Sequence, residues 1–103
     1  MVKKAADNWF VYLVRCRDGS LYTGIAKDVT RRCQQHNAGT GSRYTRSRRP
    51  VVLVYQESKR SRSLALKREA AIKAMTRREK EALVLGAEAD GRQPPKKEHS
   101  ALR

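Results

Sequence analysis

The stretch WFVYLVRCRDGSLYTGIAKDVTRRCQQH, residues 9–36, decides the fold of this chain. Its first part, residues 9–16, is almost continuously apolar and rich in β-branched and aromatic side chains. That pattern predicts a strand buried on both faces and central in its sheet. An Asp-Gly pair at 18–19 then signals a tight turn into a second strand, residues 21–26. We therefore expect an antiparallel hairpin at the start of the domain.

The length of the hairpin turn decides which side chains share a face of the sheet. If Asp18 and Gly19 alone form the turn, the numbers of paired residues sum to an odd number. Tyr12 and Tyr22 then face opposite sides. A three-residue turn through Ser20, with Gly19 at positive φ, or a bulge, places both tyrosines on one face. The sequence leaves both arrangements open.

A capped helix is expected after the hairpin. Asp28 stands where an N-cap belongs, and Asn37-Ala38-Gly39 supplies a helix stop. The stripe at helical spacing that should face the sheet consists of Val29, Arg32, Cys33 and His36. An arginine on an inward stripe needs an anionic partner or a water-filled cleft, so a polar cleft is expected here.

The rest of the chain predicts one more strand and two more helices. Residues 51–55 read as the strand, and residues 38–50 before it as a loop. The helix over 63–75 has Ser63 as its cap. The last helix begins at a Thr76–Glu79 capping box and ends at Gly86.

These elements predict a single α/β (α+β) domain. Its architecture is a small, three-stranded, mainly antiparallel sheet flanked by helices. The expected division of the chain is a flexible N-terminus at 1–8, the domain at 9–86 and a disordered tail at 87–103.

The net charge of the chain indicates the kind of partner that it binds. The chain carries 24 Lys and Arg against 10 Asp and Glu, a formal net charge of +14. Such a balance favours a nucleic-acid partner over a merely basic, soluble surface, because the charges cluster. In the 38–50 loop, arginines surround Tyr44, which suits contact with phosphates and stacking on a base; a solvated linker is the alternative. The full set expected to contact nucleic acid is Gly24, Lys27, Arg31, Arg43, Tyr44, Arg46, Arg48, Arg49 and Lys73.

The expected cellular compartment follows from sequence features that are absent. No apolar run is long enough to span a bilayer. The basic residues at the start precede no apolar segment of the kind a signal peptide needs. Cys16 and Cys33 have no metal-ligand spacing and read as reduced thiols. A cytoplasmic location is therefore expected.

Glu69 is the only acidic residue between Ser58 and Arg78. The simpler interpretation, which composition alone favours, is an i,i+4 pair with Lys73. The functional interpretation is a ligand for a divalent cation. One carboxylate suffices for Mg²⁺ where phosphate oxygens and water complete the octahedron.

Together these positions resemble a known family. Phe10-Val11-Tyr12 and Tyr22-Thr23-Gly24 resemble the paired motif that names the GIY-YIG nucleases. Arg32 lies ten residues after the second tyrosine, His36 four further on, and Glu69 on a later helix, as in that family. The resemblance covers roughly residues 8–86. It is closest to the small stand-alone bacterial (YhbQ-like) branch, which has a similar YLVR…LYTGI…D…RR…QH run and a similar SLALKRE helix.

The resemblance implies a metal-dependent DNA endonuclease that hydrolyses phosphodiester bonds, with a role in DNA repair or recombination. Glu69 would hold one Mg²⁺ or Mn²⁺, and Arg32 would stabilise charge on the phosphate. Tyr12 or Tyr22 would activate or orient the attacking water. His36 would assist proton transfer or position a tyrosine. Gly24 would let the substrate approach the strand closely.

Two alternatives from other classes stay open. One is a non-catalytic nucleic-acid-binding protein that keeps the nuclease fold. The other is a basic accessory domain acting on partner proteins. The larger enzymes of the family carry a separate DNA-binding or targeting domain, and this chain shows no counterpart. DNA is the expected partner, RNA is left open, and a monomer is the expected state.

Overall fold

The computed structural model describes residues 8–89. Its elements in chain order are β1 (Trp9–Arg15), β2 (Leu21–Ala26), α1 (Val29–Ala38), α2 (Arg43–Arg46), β3 (Val52–Lys59), α3 (Arg62–Lys73) and α4 (Arg77–Ala89). The strands form one sheet in the order β2-β1-β3, and both pairings are antiparallel. The predicted α+β class and the three-stranded antiparallel sheet are confirmed.

β1 is the central strand and is buried on both faces, as its apolar sequence predicts. The side chains from Val11 to Val14 are at most 1% exposed. Because successive side chains alternate across a strand, they feed two separate cores. Val11 and Leu13 pack with residues of α3 and α4, whereas Tyr12 and Val14 pack with residues of α1. The sheet thus divides the domain into two layers of different composition.

The hairpin adopts the arrangement that places both tyrosines on one face. The Cys16 amide donates to the Ser20 carbonyl at 2.8 Å, so the turn consists of Arg17, Asp18 and Gly19. Gly19 has a φ of 88°, which favours glycine. This three-residue turn lies one residue earlier than the predicted one through Ser20. In the resulting register Tyr12 lies opposite Gly24, and Val14 lies opposite Tyr22.

Helix α1 begins and ends where the sequence indicates. The Asp28 carboxylate accepts a hydrogen bond from the Arg31 amide at 3.0 Å. Gly39 ends the helix in a left-handed conformation with a φ of 89°. Since Val29 and His36 are buried on the sheet side, the predicted inward stripe is correct.

Several predicted boundaries are wrong. α3 is capped by Ser61, whose Oγ accepts from the Leu64 amide at 3.1 Å, and not by Ser63. The Thr76–Glu79 capping box is present, but α4 runs past Gly86 to Ala89. Burial of an alanine after that glycine explains the continuation, because the helix keeps an apolar contact there. The remainder of the predicted tail, 90–103, lies outside the described residues, as do residues 1–7.

Two further differences concern the middle of the chain. The segment predicted as a loop, 38–50, contains the single-turn helix α2. β3 begins one residue later than predicted and continues through Lys59, four residues beyond the predicted end. Its polar second half is held by Glu57, which accepts hydrogen bonds from Tyr55 and from Arg68 of α3. These partners explain why a strand continues where apolar patterning stops.

Within residues 8–89, no helix combines the length and apolar character that crossing a membrane requires. Cys16 and Cys33 form no disulfide.

Candidate active site

Four of the five predicted catalytic side chains meet on the α1 side of the sheet. The Tyr12 hydroxyl lies 2.7 Å from Nε2 of His36. The ring of Tyr22 meets the His36 ring edge-on, with 5.2 Å between centroids, and lies 6.5 Å from the ring of Tyr12. Arg32 interacts with the Tyr12 hydroxyl. The hairpin register and the helical spacing of Arg32 and His36 produce this convergence.

Gly24 makes room for Tyr12. A Cβ atom at position 24 would lie 2.6 Å from the Tyr12 hydroxyl oxygen, well inside van der Waals contact. The Tyr12 side chain therefore packs closely on Gly24. The Tyr12 side chain occupies the space where that Cβ would lie, and the approach of a substrate to the strand at Gly24 stays a prediction.

Burial sets the protonation of the Tyr12–His36 pair. Burial raises the pKa of Tyr12 well above its ordinary value, and the Arg32 guanidinium offsets only part of that rise. Burial, with the positive charge of Arg32, lowers the pKa of His36. Tyr12 is therefore a neutral phenol and His36 a neutral imidazole near pH 7.

The hydrogen-bond chain continues from His36 into α2. Nδ1 of His36 lies 2.7 Å from Oγ1 of Thr45, and that oxygen lies 2.9 Å from Oγ of Ser42. We assign the protons so that every partner is satisfied. Tyr12 donates to Nε2, Nδ1–H donates to Thr45, and Thr45 donates to Ser42. This assignment leaves the lone pairs of the Tyr12 oxygen facing Arg32.

Thr45 and Ser42 belong to the site but were not among the predicted residues. Thr45 is fully buried, although it lies in the middle of an arginine-rich segment. The available signal was Ser42 three residues before Thr45, an N-cap pattern, and the Thr45 amide does donate to the Ser42 hydroxyl. The contact with His36 depends on how the loop folds back on α1, which no local pattern reveals.

Exposure separates the groups that can meet a substrate from those that support them. Tyr12 is 1% exposed and His36 is 0% exposed. Tyr22 and Arg32 are half-buried at the edge of the same cluster. The Arg32 guanidinium donates to Oε1 of Gln35 at 3.0 Å and to the Gly41 carbonyl at 3.3 Å. In the part of the chain the structure describes, Arg32 has no carboxylate partner, so its charge remains available to an anion.

Tyr44 extends the cluster toward solvent. Its ring stacks on that of Tyr22 at 5.8 Å between centroids, with 24° between the planes. The guanidinium carbon of Arg48 lies 3.8 Å from the centroid of the Tyr44 ring. The rings of Tyr44 and Tyr22 and the guanidinium of Arg48 thus lie together, and stacking of Tyr44 on a base stays a prediction.

The other residues predicted to contact nucleic acid are spread over the surface. Lys27 lies 5.8 Å from the centroid of the Trp9 ring, and Arg31 is exposed on α1. Arg48 forms an ion pair with Asp18 at 3.1 Å. Arg49 donates to the carbonyl of Arg46 at 2.9 Å. Arg43 and Arg46 line an open concavity.

Glu69 is the predicted catalytic residue that the cluster does not include. α3 contributes Ala65 and Ile72 to the core on the opposite face of the sheet from Tyr12. Glu69 is ion-paired with Lys73 at 3.3 Å, and its side chain is 18% exposed. The alternative weighed for Glu69, the i,i+4 pair, is therefore present. α3 also packs against the edge strand β2, which carries Tyr22.

The side chains present fit a metal ion only in part. Among residues 8–89, no group of three or more His, Cys, Asp or Glu side chains is arranged to hold one. The partly exposed carboxylate of Glu69 is a hard oxygen donor of the kind that Mg²⁺ and Mn²⁺ accept. A cation held there would take its remaining ligands from water and from substrate phosphate.

Fold and site together define a class of protein: a small, basic α+β domain with a Tyr-Tyr-Arg-His cluster on one face of a three-stranded sheet. A family model described as the GIY-YIG catalytic domain matches residues 8–82. The chain belongs to the GIY-YIG family.

Its relatives include small bacterial proteins. A "UPF0213 protein" of Staphylococcus aureus is 58% identical over 78 residues, which are 76% of this chain and 95% of the relative. The solution structure of the E. faecalis protein EF2693 is 37% identical, with a TM-score of 0.56, over 86% of this chain and 93% of that one. That of the UPF0213 protein BH0048 from Bacillus halodurans is 44% identical, with a TM-score of 0.49, over 75% and 82%. The resemblance inferred from the motifs is confirmed.

Proposed function

We propose that this protein is a metal-dependent endonuclease that hydrolyses phosphodiester bonds in DNA. The observation that carries the proposal is the convergence of Tyr12, Tyr22, Arg32 and His36 on one face of the sheet. Membership of a nuclease family and a net charge of +14 support it. A role in DNA repair or recombination, as a cytoplasmic monomer, belongs to the same proposal.

Tyr22 and Arg32 are the substrate-facing groups in this mechanism. No side chain within residues 8–89 hydrogen-bonds to the Tyr22 hydroxyl, which leaves it free to orient the attacking water. Arg32 pairs with the phosphate oxygens as negative charge builds there, because a guanidinium matches their geometry. As water adds to phosphorus it loses a proton to a neighbouring solvent water, and the leaving oxygen, as its bond to phosphorus breaks, takes up a proton from solvent.

Tyr12 and His36 act from behind this surface. The hydrogen bond between them fixes the Tyr12 oxygen near the positive charge of Arg32. A neutral His36 also avoids placing a second positive charge against Arg32. Both residues are therefore positioning residues in this structure.

Glu69 is the proposed metal ligand, together with substrate phosphate and water. The cation would supply Lewis-acid stabilisation of charge at the phosphate and leaving oxygen. For this role Glu69 must exchange Lys73 for the cation when DNA binds.

Two variants of the Glu69–Lys73 pair test the proposal. Glu69→Gln removes the ligand, whereas Lys73→Gln breaks the same ion pair and keeps the carboxylate. With supercoiled plasmid DNA and Mg²⁺ or Mn²⁺, we expect Glu69→Gln to lose nicking and to retain DNA binding. We expect Lys73→Gln to bind DNA less tightly but still to nick at saturating DNA. Equal nicking by wild type and Glu69→Gln would refute the proposal.

A non-catalytic DNA-binding protein is the second candidate, and one observation favours it. Glu69 is paired with Lys73 on a helix whose buried side chains face the other layer. If that pair persists on DNA, the Tyr22–Arg32 surface binds phosphate without a metal. Binding without metal-stimulated cutting in any variant would select this candidate.

A further inference from the structure

The four arginines of the 38–50 segment fall into two groups. Arg48 and Arg49 are engaged by the protein: Arg48 with Asp18 and the Tyr44 carbonyl, Arg49 with the carbonyl of Arg46. The guanidinium groups of Arg43 and Arg46 have no acidic partner among residues 8–89. The sequence pattern treats all four alike, but of the four only Arg43 and Arg46 have guanidinium groups with neither an acidic partner nor a hydrogen bond to the protein among residues 8–89.

The two free guanidinium groups line the same concavity. It has a volume of about 280 Å³, and its lining consists of Gly39, Thr40, Gly41, Ser42, Arg43 and Arg46. That volume lies below the roughly 300–1,000 Å³ of sites for drug-sized ligands, so it suits a small group. Two cations and no carboxylate in the lining select an anion.

Gly41 joins this concavity to the candidate active site. A Cβ atom at position 41 would lie 2.3 Å from Nδ1 of His36, so the glycine backbone packs directly on the imidazole. The Gly41 carbonyl also accepts a hydrogen bond from Arg32 at 3.3 Å. The Gly41 backbone would therefore lie between an anion in the concavity and the side chains of Arg32 and His36.

We propose that this concavity is a phosphate subsite that binds a backbone phosphate of the DNA next to the one at Arg32. Arg43 and Arg46 hold the phosphate oxygens through charge-assisted hydrogen bonds. The subsite thereby sets the register of the strand across Tyr22. This inference rests on the proposed function, since it names where the same substrate is held.

The test compares two double variants that lose the same charge. Arg43→Gln/Arg46→Gln removes the subsite. Lys67→Gln/Arg78→Gln removes two exposed charges from α3 and α4, on the other side of the sheet. Binding of a short fluorescent DNA duplex is followed by anisotropy in EDTA at several salt concentrations. We expect the magnitude of the slope of log K against log salt to fall by about 0.9 for the first variant, which loses one phosphate contact, and by much less for the second.

A second measurement identifies the ligand chemistry and guards against misfolding. Inorganic phosphate titrated into ¹⁵N-labelled protein should shift backbone amides of residues 39–46 in the wild type but not in Arg43→Gln/Arg46→Gln. The Arg43→Lys/Arg46→Lys variant keeps both charges and should recover most of the slope. Thermal unfolding of each variant establishes that it is folded. Equal slope changes in the two charge-matched variants would overturn the subsite.

These readouts need no cutting, so the two proposals can fail separately. A difference between the charge-matched variants in a protein that never cuts DNA keeps the subsite and removes the nuclease. Metal-dependent cutting with equal slopes keeps the nuclease and removes the subsite.

Discussion

His36 lies between two hydroxyl groups, and this arrangement couples its tautomer to the direction of both hydroxyl protons. One ring nitrogen lies 2.7 Å from the Tyr12 hydroxyl and the other 2.7 Å from Oγ1 of Thr45. A neutral imidazole can satisfy both only by donating to one and accepting from the other. In the proton assignment given above, Thr45 accepts from Nδ1–H, which leaves Nε2 to accept the Tyr12 proton.

Thr45→Val should change the protonation behaviour of His36 and slow cutting. The valine leaves the buried Nδ1–H without an acceptor, which costs about 1–3 kcal/mol. We expect a shifted His36 tautomer ratio in ¹⁵N NMR and cutting at least about 10-fold slower, with Thr45→Ser restoring both. Unchanged His36 nitrogen shifts in Thr45→Val would contradict this role.

The lowered pKa of His36 also gives the sign of a pH dependence. The unfolded chain takes up a proton near pH 6.5, whereas the folded chain does so only at lower pH. The stability contributed by neutral His36 is therefore present above about pH 6.5 and is lost as the pH falls below it.

Gly24→Ala should displace Tyr12, since the new methyl group would lie 2.6 Å from its hydroxyl oxygen. Overpacking of this kind costs about 1–3 kcal/mol in the free energy of unfolding. Gly86→Ala is the matched control, because no atom lies within 4 Å of its added Cβ and the position is helical. That variant should gain about 0.5–1 kcal/mol. Equal stability changes in chemical denaturation would argue against the Tyr12–Gly24 contact.

The four residues that meet in the candidate site could be predicted from the sequence, and their surroundings could not. Tyr12, Tyr22, Arg32 and His36 are marked by spacing along one hairpin and one helix, which local rules describe. Thr45 meets His36 through a loop nine residues away. Whether the two tyrosines share a face depends on whether the turn has two residues or three. The sequence allows both lengths, and only the structure shows the three-residue turn at Arg17–Gly19.

At the level of elements, the carboxylate of Glu81 links α4 to the hairpin. Glu81 accepts two hydrogen bonds from Arg15, at 2.8 and 2.7 Å, and a third from Arg77 at 3.1 Å. Arg77 in turn donates to the Gly19 carbonyl at 2.9 Å. The Arg17–Gly19 turn, which sets the register of the two tyrosines, is thus stabilised by α4 from the other face of the sheet.

Glu81→Gln should remove part of the acid sensitivity of folding. Hydrogen bonds from Arg15, supported by Arg77, hold the pKa of Glu81 at about 2. An unfolded glutamate titrates near 4.3, so this contribution is present above about pH 4.3 and is lost as the pH falls toward 2. We expect a cost of about 1 kcal/mol at pH 7, since the pair is partly solvent-exposed, and a flatter loss of stability in acid. Parallel stability–pH curves for variant and wild type would contradict this assignment.

Elements with strong periodicity were predictable, and short or mixed ones were not. β1, β2 and α1 follow from apolar patterning and from caps at Asp28 and Gly39. α2 is a single turn of four residues, too short to show a period. The second half of β3 is polar and is held by the contact between Glu57 and Arg68 of α3, which no local sequence pattern predicts.

Across the whole molecule, the sheet separates a support layer from a polar layer. α3 and α4 cover the larger apolar core on one face of the sheet. α1 and α2 lie on the other face, together with the tyrosines, His36 and the concavity. The chain as a whole carries a net charge of +14. General attraction to DNA is therefore expected everywhere, and chemistry only where Tyr22 and Arg32 meet the substrate.

Tyr22→Phe tests this central claim most directly, because it deletes one oxygen atom and keeps the ring that stacks on Tyr44. The measurement is the rate of Mg²⁺-dependent nicking of supercoiled plasmid at saturating protein, compared with DNA affinity and thermal unfolding. We expect nicking about 10²-fold slower or more, because the attacking water would lose the group that orients it. Affinity and unfolding should stay unchanged. Nicking at the wild-type rate by a folded Tyr22→Phe protein would contradict the account.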